Sequence, residues 1–146
     1  MRVYLDTCAI QRPLDDLSQL RVRVEAEAVL AVVTAAEIGG VDLVTSDVLR
    51  FETENNPLPH RRDFARRVLA LATDDVSTST AVSTRAGGYE REGVKPLDAV
   101  HLASAVEARA DLFCTADDTL RRRARQANTE ATRVVSPLEL VAALEP

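Results

Sequence analysis

Val3-Tyr4-Leu5-Asp6-Thr7 is the stretch on which the fold turns. Val3, Tyr4 and Leu5 are β-forming or apolar and read as a short first strand, central in its sheet, which turn-compatible Thr7 and the Arg12-Pro13 break bring to an end. An acid at the tip of such a strand is costly unless it is paired or metal-bound. Asp6 is therefore read as a metal ligand, with an N-cap or turn carboxylate as its alternative role. If the chain is one α/β domain, the C-terminal ends of its strands share one edge of the sheet, and that edge is where open α/β sheets bind ligands.

Outward from this strand, helical and strand patterns alternate. Leu20, Val24, Ala28, Ala31, Val32 and Ala35 recur at helical spacing between Ser18 and Ile38, and Gly39-Gly40 supplies a stop. Val41 to Thr45 predicts the second strand, and Ser46 caps a short helix carrying Val48, Leu49 and Glu52. Asn55-Asn56-Pro57-Leu58-Pro59 opposes both helix and sheet and is a loop. A helix is expected over His60–Ala72, a short edge strand over Asp75–Thr78, and a helix over Ser79–Arg91 interrupted at Gly87-Gly88. Pro96 opens the next helix, whose apolar face runs through Leu97, Val100, Ala103 and Val106. Asp111–Thr115 predicts the fourth strand, Thr119–Gln126 a helix, Arg133–Val135 the fifth strand, and Ser136-Pro137 the cap of a last helix. Strands alternating with helices imply a parallel sheet with right-handed crossovers and helices on both faces.

At 146 residues the chain suits one domain, 1–146, with a substantial core. No apolar run approaches the roughly 18 residues that span a bilayer, and the N-terminus reaches Asp6 too early for a secretory signal, so a cytoplasmic location is expected. Cys8 and Cys114 are expected to be small buried hydrophobes rather than a disulfide, since cytosolic thiols stay reduced. The net charge of −5 argues against coating nucleic acid by bulk attraction. Arginine nevertheless supplies 17 of the 18 basic residues, clustering at Arg61-Arg62 with Arg66-Arg67 and at Arg121-Arg122-Arg123 with Arg125. Guanidinium forks match phosphate geometry, so Arg61, Arg62, Arg121 and Arg122 are candidate contacts for a polyanion; a solvated helix face explains the same clusters.

Three further acids fall at strand ends or helix starts: Glu52, Asp98 and Asp117. Each has a plain structural role available. Asp98 lies in a first helical turn, where the dipole favours a carboxylate, and Glu52 beside Glu54 suits a solvated surface. Asp117 is preferred to Asp118 because it lies nearer the strand end, with Asp118 as an N-cap or a supporting residue. Thr7 and Thr115 could each donate a hydroxyl to a carboxylate or a metal-bound water. His101, three residues after Asp98, is expected to pack on its helix or bond a backbone group. Four carboxylates at one edge would repel one another without a divalent cation, and oxygen-only ligands favour Mg²⁺ or Mn²⁺, metals of phosphate chemistry.

Together these residues resemble the PIN domain, in particular the VapC-like toxins of toxin-antitoxin pairs. The shared pattern spans nearly the whole chain: Leu5-Asp6-Thr7, the helix-borne Glu52, Asp-Ala-x-His-x-Ala-x-Ala from Asp98 to Ala105, and Thr-x-Asp from Thr115 to Asp117. The resemblance implies a five-stranded parallel sheet in the order 3-2-1-4-5. It also implies Mg²⁺- or Mn²⁺-dependent cleavage of RNA by Asp6, Glu52, Asp98 and Asp117, a cognate antitoxin and a homodimer. Two departures are the polar run Gln11 to Asp16 and Thr53 where an aliphatic residue is usual, which leaves Asp47 and Glu54 as substitutes for Glu52. A nucleophilic phosphatase of another α/β family would want a second Asp at position 8, which is Cys8. A PIN-like module that binds RNA or protein without cutting it is the remaining alternative.

Overall fold

The computed structural model describes residues 1–145. Five parallel strands form one sheet in the order β3-β2-β1-β4-β5, with β1 at Arg2–Leu5, β2 at Asp42–Ser46, β3 at Asp74–Val76, β4 at Leu112–Cys114 and β5 at Arg133–Val135. The order is the one the resemblance implies. β1 is central because Val3, Tyr4 and Leu5 are all buried, a pattern suited to a strand covered on both faces. Tyr4 stacks on Phe113 of β4, which joins the two middle strands through their side chains as well as their backbones.

The helices are α1 (Thr7–Gln11), α2 (Leu20–Glu37), α3 (Asp47–Glu54), α4 (Pro59–Leu69), α5 (Thr80–Arg91), α6 (Pro96–Glu107), α7 (Asp118–Gln126) and α8 (Pro137–Leu144). They lie on both faces of the sheet, with α2 packed on α8 and α5 on α6. Their starts follow ordinary capping chemistry. Ser46, Ser79 and Ser136 accept from backbone N–H groups, and Ser136 with Glu139 completes a capping box.

Three expectations change. The segment after Asp6 forms α1, whose N-cap is Asp6 itself, accepting from the Ala9 N–H at 2.8 Å. β3 begins at Asp74, one residue before the predicted strand, and stops at Val76. α5 runs unbroken through Gly87-Gly88. Two glycines in a helix interior cost about 1 kcal/mol each relative to alanine, a penalty outweighed here by burying Val82, Ala86 and Tyr89 against α6.

The sequence changes direction across the sheet at β1, which has β2 on one side and β4 on the other. This is a topological switch point, and the residues that follow β1 and β4 meet outside it. Among the described residues no helix is long and apolar enough to cross a membrane.

Candidate active site

Asp6 leaves the end of β1 only 2% exposed. Burial pushes its carboxyl up to about 6; the Thr115 hydroxyl and the Ala9 N–H pull the other way, favouring the ionised form. No arginine or lysine pairs with it among the described residues. Asp98, half-buried in the first turn of α6, is also raised, chiefly by desolvation and then by the negative field of Asp117 and Glu52, which His101 and Lys95 oppose. Asp117 follows β4 and caps α7, its Oδ1 accepting from Thr119 N and Leu120 N at 2.9 and 3.0 Å.

Glu52 reaches the cluster from α3. Its Oε1 is bonded to His101 Nε2 and accepts from the Thr7 hydroxyl at 3.1 Å. Burial is the largest single influence and works against its charge, but the interactions with His101 and the Thr7 hydroxyl together outweigh it and the carboxyl is lowered. His101 itself is 1% exposed, and its Nδ1 meets the Tyr4 hydroxyl at 2.7 Å, which in turn meets Ser46 Oγ at 2.7 Å. One proton order satisfies every member: Ser46 donates to Tyr4, Tyr4 to His101 Nδ1, and His101 Nε2–H to Glu52. His101 thus bonds two side chains rather than the expected backbone group. Its partners are 97 and 49 residues away in sequence. The Asp98-x-x-His101 spacing was the available signal, since it puts the two residues on adjacent positions of one helix.

Cys8 connects the four acids. It is exposed at the mouth of the site, contrary to the buried role expected of it, while Cys114 is buried and both are free. The helix α1 turns its first residues outward from the strand tip, which is why position 8 escapes the core. Desolvation and then the fields of Asp6, Asp117, Asp98 and Glu52 push its thiol up to about 12, so all four carboxylates act on one point. Even so, no three His, Cys, Asp or Glu side chains among the described residues are grouped closely enough to hold a metal ion as they stand. Glu52 is held at the cleft by His101 and Thr7. The donor set nonetheless suits a hard divalent cation: carboxylate oxygens with threonine hydroxyls beside them, and a buried acid with no arginine or lysine partner among the described residues.

The remaining candidates are engaged elsewhere. Asp118 is not the N-cap; its two oxygens take Arg21 at 2.7 and 2.6 Å and one also takes Arg121 at 2.6 Å, which holds its carboxyl well below the usual range. Asp47 accepts from Arg50 and the Thr78 N–H, and Glu54 pairs with Arg66. Thr115 accepts from Asp117 N at 3.1 Å. Arg61 is fixed on Asp15 and the Leu14 carbonyl, and Arg62 on the Asn56 carbonyl. Arg122 is exposed and makes no side-chain bond among the described residues.

An open parallel α/β domain with an acidic cleft at its switch point is the class that these features define. The PIN domain profile matches residues 3–126, and the chain belongs to the PIN domain family. A solved structure of VapBC2 from Rickettsia felis, bound to a DNA fragment from their promoter, contains a chain of like fold, with a TM-score of 0.57 and 10% identity over 93% of this chain and 98% of that one. No curated protein matches the sequence.

Proposed function

We propose that this chain is a metal-dependent endoribonuclease and the toxin of a type II toxin-antitoxin pair. PIN domains are generally nucleases, and the observation that carries the reading for this chain is Asp6: a buried carboxylate at the switch point, without an arginine or lysine partner among the described residues, within the field of Asp98. Asp6, Asp98, Asp117 and Glu52 would hold Mg²⁺ or Mn²⁺. Bound there, the ion would polarise a phosphoryl oxygen and lower the pKa of a water. Thr7 orients Glu52, and Thr115 steadies Asp6 and the backbone of Asp117. The Tyr4–His101 pair keeps Glu52 at the cleft rather than in solvent.

The likeness to a chain of the VapBC2 complex supports an antitoxin partner; a homodimer and a cytoplasmic location complete the reading. Light scattering of the purified protein at micromolar concentration tests the dimer, which a monomer would contradict.

A second reading, a PIN-like module that binds without cutting, is favoured by one observation: no three acids are drawn together as the side chains stand. Cleavage of a mixed pool of structured RNAs by the parent and by Asp6→Asn, each with Mg²⁺, with Mn²⁺ and with EDTA, separates the two. Cleavage by the parent alone, abolished by EDTA, is the expected result. No cleavage together with no Mn²⁺ binding by calorimetry would leave the binding module.

A further inference from the structure

Two clefts open beside the carboxylates and share Asp117 as a wall. The wider, about 390 Å³, runs past Thr7 and Cys8 and has Arg12, Asp15 and Arg61 on its far side. The narrower, about 100 Å³, lies between Asp98 and Asp117 and is closed by Lys95, Thr119 and Arg123. Each therefore presents two cations, but their states differ. Arg12 donates to Asp15 and Glu25 at 3.2 and 3.0 Å, and Arg61 donates to Asp15 at 3.0 Å and to the Leu14 carbonyl at 2.9 Å. Their charges are neutralised and their geometry is fixed within the fold.

Lys95, the one lysine of the chain, has no hydrogen bond or ion pair among the described residues. Arg123 has a single hydrogen bond, to the Gly93 carbonyl, and no carboxylate partner among them. Gly93 adopts φ +98°, a conformation that side chains rarely take, and this turn carries the chain from α5 into Val94 and Lys95 at the cleft. The free charge of Lys95 is felt by Asp98. A site of four carboxylates repels a polyanion, so approach of RNA phosphates calls for uncompensated cations close by. Of the cations lining the two clefts, only this pair qualifies.

We propose that Lys95 and Arg123 form a phosphate-binding subsite that grips the RNA backbone beside the bond to be cut, so that the strand crosses the carboxylates from the α6–α7 side. The proposal rests on the nuclease reading. It gives the binding role to Lys95, outside the arginine clusters, and to Arg123, a cluster member not among the four candidate contacts, and takes it from Arg61 and Arg121, which serve the fold.

The test is binding of a fluorescein-labelled, single-stranded 2′-O-methyl RNA to the full chain in EDTA, followed by anisotropy across a salt series. Lys95→Ala and Arg123→Ala are each expected to weaken binding about 3- to 10-fold and to reduce the slope of log K against log salt by about 0.7. Lys95→Arg should restore the slope, and all three should melt with the parent because the side chains are exposed. Arg122→Ala, on the same helix but outside the cleft, should bind as the parent does. Parent-like affinity and slope in both alanine variants overturn the subsite, and cleavage lost in Asp98→Asn alongside that result leaves the nuclease reading intact. A parent that neither binds this RNA nor cleaves any RNA with Mn²⁺ overturns both.

Discussion

Asp6 and Glu25 are equally buried, each 2% exposed, yet the fold treats them in opposite ways. Glu25, on α2, is met by Arg12 and Arg21 at 3.0 and 2.8 Å, and Arg21 continues to Asp118 on α7. Asp6 is met by a backbone N–H and a hydroxyl. Taking a carboxylate out of water costs several kcal/mol unless a cation answers it, and this chain has arginine in abundance. Asp6 is left without an internal cation, the feature on which the proposed metal site rests. Buried acids with an internal partner hold elements together; a buried acid without one is a candidate reagent.

Five measurements would break or sharpen that contrast. The largest effect is on chemistry. Asp6→Asn should lower RNA cleavage by about 10³-fold or more, the scale of losing several kcal/mol of metal-assisted stabilisation, whereas Glu25→Gln should cleave normally per folded molecule. Equal losses in both variants would erase the distinction.

Stability should separate the pair in the reverse sense. Glu25→Gln leaves Arg12 and Arg21 facing a neutral group and should cost about 3 kcal/mol in denaturant unfolding. Asp6 runs the other way. Its folded pKa of about 6 lies above the ordinary 3.8, so the fold favours the protonated form, and the metal-free parent should lose stability as pH rises from about 4 through 6. The shift corresponds to about 3 kcal/mol by pH 8. Asp6→Asn should flatten this slope; an unchanged slope in the variant would assign it to another group.

Metal should stabilise selectively. Mn²⁺ at about 100 times its Kd is expected to add about 2.7 kcal/mol to the parent and to Glu25→Gln and nothing to Asp6→Asn, read as thermal midpoints with and without EDTA. The smallest effect concerns His101→Gln, which loosens Glu52 without removing a ligand. Mn²⁺ affinity should fall about tenfold by calorimetry, and parent-like affinity would reduce His101 to a packing residue.

The fold was largely legible because its signals are local. Val3 to Leu5 are apolar without interruption, Gly39-Gly40 and Pro96 punctuate the chain, and serine caps stand where helices begin. The misreadings are local too: α1 is a single short turn whose cap doubles as the key acid, and Gly87-Gly88 is a breaker overruled by tertiary packing. Asp6 could be singled out because an acid on an apolar strand conflicts with its surroundings. Long-range pairing was the part that could not be read. Asp118 is claimed by Arg21, from 97 residues earlier, as well as by its helix neighbour Arg121. Lys95 drew no attention as one cation among many, since what sets it apart is the absence of a partner, a property of the fold and not of spacing.

The central position of β1 bears on the order in which the molecule can come together. The strand that carries Asp6 is walled by β4, more than a hundred residues later, and β4 is in turn flanked by β5 and contacted by α8, later still. Pairing of such distant segments is slow and depends on nearly the whole chain. Asp6 and Asp117 therefore cannot meet until β4 has paired with β1, and the acidic cleft forms only when the sheet is nearly assembled.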